Sequence, residues 1–315
     1  MIRHLTLLLA LGTAAVTSAQ EVPDPKPYQL ARSEEFILKS AAGAEYRIMV
    51  ALPQEPPPPG GHAVTYVLDG DDLFPVLTSL LRLQAGTGKL SKHNGITPGI
   101  VVGIGYPAES RRDFDYTLPA PAGPPETYRN GKPYPPRPGG GAEAFLSFLE
   151  KDLRPVIEKL HAPDRSRQTL LGNGYGGLLA LHVLFTRPEL FQTYIASSPS
   201  IWWNDRYILQ EEKSFTEKLA SKPVQATLVM TVGELEQSLT QIEAAWPEEE
   251  REEHRLKITR RKMVDNTREL AWRLEALAKS GLETELRIFP GESHKSVVPM
   301  AIGHVLPYAF PPVKR

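Results

Sequence analysis

The chain contains no cysteine. Disulfides, thiolate nucleophiles and cysteine-ligated metals are therefore excluded together, and stability has to come from the packed core. No excess of either charge is present: 36 lysines and arginines stand against 37 aspartates and glutamates in 315 residues. Without a broad field of one sign, neither nucleic acid nor an anionic membrane surface is the expected partner. A small molecule met by local charges is. Beyond the first twenty residues no apolar run is long enough to span a bilayer, so no stable membrane anchor is expected. No convergent histidine spacing accompanies the carboxylates, and neither a metal nor a cofactor is expected.

What is present starts with MIRHLTLLLALGTAAVTSAQ, which has a short basic start, an apolar stretch from Leu5 to Val16 and small residues before Gln20. This is the pattern of a cleaved secretory signal over residues 1–19, with a periplasmic or secreted product. An uncleaved anchor is disfavoured by the length of the run, which is shorter than the ~20 residues a spanning helix needs. The remainder, 20–315, reads as one domain; 41% hydrophobic residues allow a sizeable core.

Residues 34–40 and 45–53 alternate apolar and polar around Ala-Ala-Gly, as an antiparallel hairpin does. Six further runs, at 62–70, 99–107, 167–174, 191–198, 225–233 and 283–291, are β-branched or continuously apolar and suit buried parallel strands. Helix-like stretches alternate with them: LFPVLTSLLRLQ, AEAFLSFLEKDLRPVIEKLH, YGGLLALHVLFTRP and a charged segment in which Met263, Leu270, Leu274 and Leu277 recur at helical spacing. Such alternation predicts an α/β fold, a mostly parallel doubly wound sheet with helices on both faces. The Pro/Gly-rich stretch 117–141 is too long for an ordinary connection and reads as an ordered excursion or a flexible lid. The charge run 247–261 reads as a solvated helix face.

In an open α/β sheet, ligands gather beyond the carboxyl ends of the strands, so residues just after each strand form one neighbourhood. One strand ends in Gly172-Asn173-Gly174-Tyr175-Gly176, which keeps the outer glycines of the G-x-S-x-G elbow but puts Gly174 where the serine would stand. Another ends in Gly233-Glu234-Leu235-Glu236, and the last in Gly291-Glu292-Ser293-His294. Nucleophile position, acid and histidine thus follow the chain order of α/β-hydrolases. His294 is the candidate general base. Glu236 is the candidate acid that orients it, with Glu234 and Asp265 as alternatives. Main-chain N–H groups of Tyr175 and Asp71 are the candidate oxyanion donors. Arg111 and Arg112, beyond another strand end, could bind anionic oxygens, or could equally hold Asp113 or Asp115. Trp202 and Trp203 could wall a ring-bearing ligand, or belong to the core.

Taken together, YVLDGDDLF, VVGIGYP with RRDFDYTLP, the GNGYGGLLALHVLF elbow, SSPSIWWND, VGELE, MVDNTREL and FPGESHKSV resemble the Putative esterase family of α/β-hydrolases over residues 30–310. The nearest likeness is to exported esterases that hydrolyse ferric enterobactin-type trilactone siderophores. That resemblance implies carboxylic-ester hydrolysis of a small ester or ferric siderophore, with the nucleophile at position 174, His294 as base, Glu236 as acid and ferric-siderophore contacts near Arg111 and Arg112. It also marks a departure. Relatives read Gly-His-Ser-Tyr-Gly-Gly where this chain has Asn173 and Gly174. Glycine has no hydroxyl, so no acyl-enzyme can form at 174. The expectation is an inactivated or weakly active esterase, or alternatively a non-catalytic ester-binding pseudoenzyme.

Overall fold

The computed structural model describes residues 24–85, 95–136, 138–219 and 221–312. The expected signal segment lies outside them. The chain divides into a unit ending at Ala31 and a unit Arg32–Arg315. Residues 24–30 of the first have no regular secondary structure and are mostly exposed. All elements below belong to the second.

Eight strands form one sheet: β1 Ser33–Lys39, β2 Glu45–Ala51, β3 Val64–Val67, β4 Ile100–Gly105, β5 Gln168–Asn173, β6 Thr193–Ser197, β7 Ala226–Gly233 and β8 Leu282–Phe289. Their spatial order is β1-β2-β4-β3-β5-β6-β7-β8, antiparallel across β1/β2 and β2/β4 and parallel from there to β8. The hairpin closes in the register Lys39↔Glu45, with Gly43 at positive φ in its turn. Every residue of β3 and β4 is buried, as continuous apolar runs covered on both faces should be. β8 departs from the expectation of a buried strand. It is one of the two edge strands, β1 being the other, with Glu283 and Arg287 exposed, and charge there discourages pairing with another chain.

The helices are α1 Gly70–Ala85, α2 Arg112–Asp115, α3 Ala142–Phe148, α4 Arg154–His161, α5 Tyr175–Thr186, α6 Trp203–Arg206, α7 Ile208–Leu219, α8 Gln241–Ala244, α9 Glu248–Arg261, α10 Met263–Glu275 and α11 Val297–Ala309. Between α3 and α4 a π-helical turn, Leu149–Leu153, lets the Arg154 N–H reach Leu149 O immediately before Pro155, whose ring would clash with an unbroken helix. α11 carries Pro299, Gly303 and Pro307, which hide its helical period in the sequence. α5 is buried from Gly176 to Phe185 and has no polar face, so the helix that follows the elbow is anchored on all sides. A Cβ on Gly172 would lie 2.2 Å from Gly176 O, and this close approach of strand end to helix start requires glycine.

Candidate active site

The centre of the site is the β5–α5 turn. Gly174 has φ 61° and ψ −114°, a backbone that L side chains rarely adopt, and its N–H is held by Ser197 O at 3.0 Å. A Cβ built at 174 would make only ordinary van der Waals contacts: its nearest neighbours are Arg112 Nη2 and His294 Nε2, both at 3.7 Å. The position is thus strained for a side chain but not blocked.

His294 sits in the loop between β8 and α11, and half of its side chain is exposed. Its Nδ1 is 2.6 Å from Glu236 Oε2, which turns Nε2 toward position 174. Glu236 lies in a 3₁₀ turn, Glu234–Gln237, directly after β7, and is buried. Its other oxygen accepts from Ser198 Oγ at 2.5 Å and from the Gly233 N–H at 2.7 Å. A buried carboxylate with these donors is satisfied on both oxygens and fixes the imidazole. Of the three carboxylates the sequence leaves open, Glu236 is the one in contact with His294. Glu234 accepts from Gly291 N–H and Asp265 from Gln237 Nε2.

Arg112 closes the opposite side. Its Nε and Nη2 donate to the two oxygens of Asp69 at 2.9 and 3.0 Å, and Nη2 also reaches Asn173 O at 3.4 Å. Burial works against the guanidinium charge, but the Asp69 carboxylate more than offsets it and holds Arg112 above its ordinary value. Asp69 adopts φ 52° at the end of β3, and its N–H donates to Tyr116 OH.

Gly174, Tyr175, Arg112, Trp202 and His294 line one cavity of about 180 Å³, together with Ser200, Lys257 and Arg261. Tyr175, Trp202, Lys257 and Arg261 also line an adjoining cavity of about 590 Å³, walled by Tyr128, Tyr134, Trp203 and, from the 117–141 stretch, Glu126 and four prolines, Pro124, Pro125, Pro135 and Pro136. That stretch is docked on α9. Arg261 makes paired hydrogen bonds to Glu126, Arg260 bonds Thr127, and Glu253 receives Tyr134 OH and the Arg129 N–H. Arg261 also stacks 3.7 Å from the Trp202 ring. α9 is therefore a wall of the site as well as the solvated face the charge run indicated.

Two candidate residues stand elsewhere. Arg111 donates to Asp115 at 3.1 Å and to Tyr46 OH at 2.9 Å and does not line either cavity. The Asp71 side chain bonds Arg47 and the Tyr106 N–H, which leaves its main chain, at the start of α1, for any part in the site. Asp69, Lys257 and Arg261 are the residues that sequence reasoning missed. Asp69 carries a signal, since it ends a predicted strand; the other two lie more than 80 residues from the elbow and have none.

Residues 40–274 match the family described as Putative esterase. The chain is also 36% identical over 271 residues to the ferri-bacillibactin esterase BesA of Bacillus subtilis, covering 85% of each chain. The chain belongs to the Putative esterase family. A second relative of this esterase-family chain is the siderophore triacetylfusarinine C esterase of Aspergillus fumigatus, 34% identical over 306 residues, 91% of this chain and 96% of the relative. Among solved structures, the siderophore hydrolase EstA from Aspergillus nidulans superposes with TM-score 0.78 at 31% identity, covering 92% of this chain and 98% of that one. The relatives are siderophore esterases, and the fold is theirs. Among the described residues no helix is long and apolar enough to cross a membrane.

Proposed function

We propose that this chain binds a siderophore-type ester in the cleft between the elbow and α9, and that as written it hydrolyses that ester slowly or not at all. One observation carries the reading: the space where a side chain at 174 would stand faces His294 Nε2 at 3.7 Å, and Glu236 holds the other ring nitrogen at 2.6 Å. The base and its carboxylate are in place around a position that has no hydroxyl. Without the nucleophile, a water in this space could be deprotonated by His294 and attack the ester carbonyl directly. N–H groups of Tyr175 and Asp71 are our candidates for the developing oxyanion. In a serine protease the donors and binding alone leave roughly 10³–10⁴ over the uncatalysed rate.

The substrate class rests on the named relatives and on the cleft. Trp202, Tyr128 and Tyr134 offer ring faces, and Lys257 and Arg261 offer cations, to a ligand larger than a simple acetate. Arg112 is assigned to ligand contact and Arg111 to holding Asp115, which revises the sequence expectation for Arg111. Trp202 is assigned to the wall shared by both cavities and Trp203 to the larger one only. The excursion 117–141 is read as a fixed wall of a single domain, 20–315. Export by a cleaved signal, residues 1–19, remains part of the proposal, and N-terminal sequencing of the periplasmic protein that found Met1 would refute it.

A second reading, capture of the ester without cleavage, is favoured by the same glycine. Long incubation with ferric enterobactin and with an aryl ester, followed by product analysis and a binding titration, separates the two. Products above a His294→Ala control establish hydrolysis; saturable binding without products establishes capture. Neither binding nor products would refute both.

A further inference from the structure

The glycine at 174 leaves a pocket whose chemistry differs from that of an esterase with a filled elbow. The space of the missing side chain lies 3.7 Å from Arg112 Nη2 on one side and 3.7 Å from His294 Nε2 on the other. Tyr175, Ser200, Trp202, Lys257 and Arg261 also line it, and among the described residues no acidic one does. Three of these groups have carboxylate partners outside the cavity lining: Asp69 for Arg112, Glu126 for Arg261 and Glu236 for His294. They fix these side chains from behind; both Arg112 Nη2 hydrogens go to Asp69 and Asn173 O, so that guanidinium meets the cavity as a positive charge. The turn also opens α5, a twelve-residue helix whose first-turn N–H groups have no intrahelical acceptor.

We infer that this pocket is a carboxylate-binding site, formed because residue 174 has no side chain, and that it takes the free acid an ester releases. A carboxylic acid brings two oxygens in one plane; one lies beside the Arg112 guanidinium and shares the acid's proton with His294 Nε2, and the other faces Lys257 and Arg261. An oxygen at that spot needs no covalent bond to the protein, and the roughly 180 Å³ available exceeds the ~30 Å³ share of one water many times over. A serine would place its own Cβ and Oγ in the same space. The inference rests on the ester reading for the class of acid met in the cell, since hydrolysis of an ester releases a carboxylate, but not for the chemistry of the pocket. The chain would then retain the acid products of ester hydrolysis.

The test is a titration of the full chain at pH 6 with acetate and with benzoate, at constant chloride, followed by calorimetry and by the His294 ring resonances. Benzamide serves as the neutral isostere of benzoate. The expected result is saturable carboxylate binding that shifts the His294 signals, with benzamide weaker by about tenfold or more, as loss of a charge-assisted pair implies. Gly174→Ser should weaken acetate by about tenfold, and Lys257→Gln, which leaves the elbow untouched, by several-fold. Equal affinity for benzoate and benzamide, retention of acetate affinity by both variants, or no saturation would overturn the inference. A ferric enterobactin titration on the same sample keeps the two readings apart: ester binding with no acetate binding sinks only this inference.

Discussion

Restoring the nucleophile is the sharpest perturbation the site offers. In Gly174→Ser, the new Cβ would stand 3.7 Å from His294 Nε2, and the hydroxyl, one bond further out, can reach hydrogen-bond distance of about 2.6–3.2 Å. Nε2 faces the site because Glu236 holds Nδ1 at 2.6 Å, so the imidazole can take the serine proton and return it to the leaving alkoxide. The cost is backbone strain: φ 61° with a side chain is worth ~1–3 kcal/mol, which a domain of ordinary stability tolerates. The gain is an acyl-enzyme route. Since loss of the serine costs about 10⁶ in a well-studied protease, turnover should rise by several powers of ten. The assay is hydrolysis of an aryl acetate and of a trilactone siderophore by the parent, Gly174→Ser and Gly174→Ser/Asn173→His, each with and without His294→Ala. A folded variant no faster than the parent would refute the claim that the rest of the machinery is intact, and a faster variant indifferent to His294 would refute the assignment of the base.

In the Gly174→Ser background, Glu236→Gln should lower turnover by about 10⁴ with little change in substrate affinity, because the wrong imidazole tautomer is then favoured; an unchanged kcat would remove Glu236 from the site. The adjacent arginines should separate. Arg111→Ala should cost about 1–2 kcal/mol of stability in denaturant unfolding, less than breaking a fully buried pair, because buried Asp115 loses its cation but keeps Tyr106 OH and Arg111 is itself partly exposed, while leaving ligand affinity nearly unchanged. Arg112→Ala should weaken an anionic ligand by about 2 kcal/mol or more, read as the dissociation constant. Acid sensitivity should be traceable in part to Glu143. Burial raises its carboxyl, but Arg187 at 2.6 Å and the adjacent His182 outweigh that and hold it below the ordinary glutamate value. Its stabilising contribution is therefore present above the unfolded value of about 4.3 and lost as pH falls through the lower folded value. The stability gap between parent and Glu143→Gln, measured by urea unfolding, should be open at pH 6 and narrow as the pH falls below the unfolded value.

Much of this was legible in one dimension because strands and turns are local. Continuous apolar runs such as VTYV and IVVGIG can only be strands covered on both faces, and alternation in EEFILKS marks a half-covered one. α11 was not legible, because Pro299 in its first turn costs no hydrogen bond while Pro307 interrupts the helix near its end, and both break the pattern a reader looks for. The edge position of β8 was equally hidden, since a strand's place in a sheet depends on pairing that no local run encodes.

For the site itself, the sequence alone determined the absence of a hydroxyl at 174, the order of turn, acid and histidine, and the family those motifs resemble, because identity and order are properties of the chain. Which carboxylate meets His294, which of two neighbouring arginines faces the cleft, and that α9 and the 117–141 stretch build its far wall were decided only by tertiary structure. The physical reason is the reach of these contacts. Glu236 and His294 are 58 residues apart and Glu126 and Arg261 are 135 apart, so direction and distance at the site are set by how the parallel strands bring their carboxyl ends to one edge.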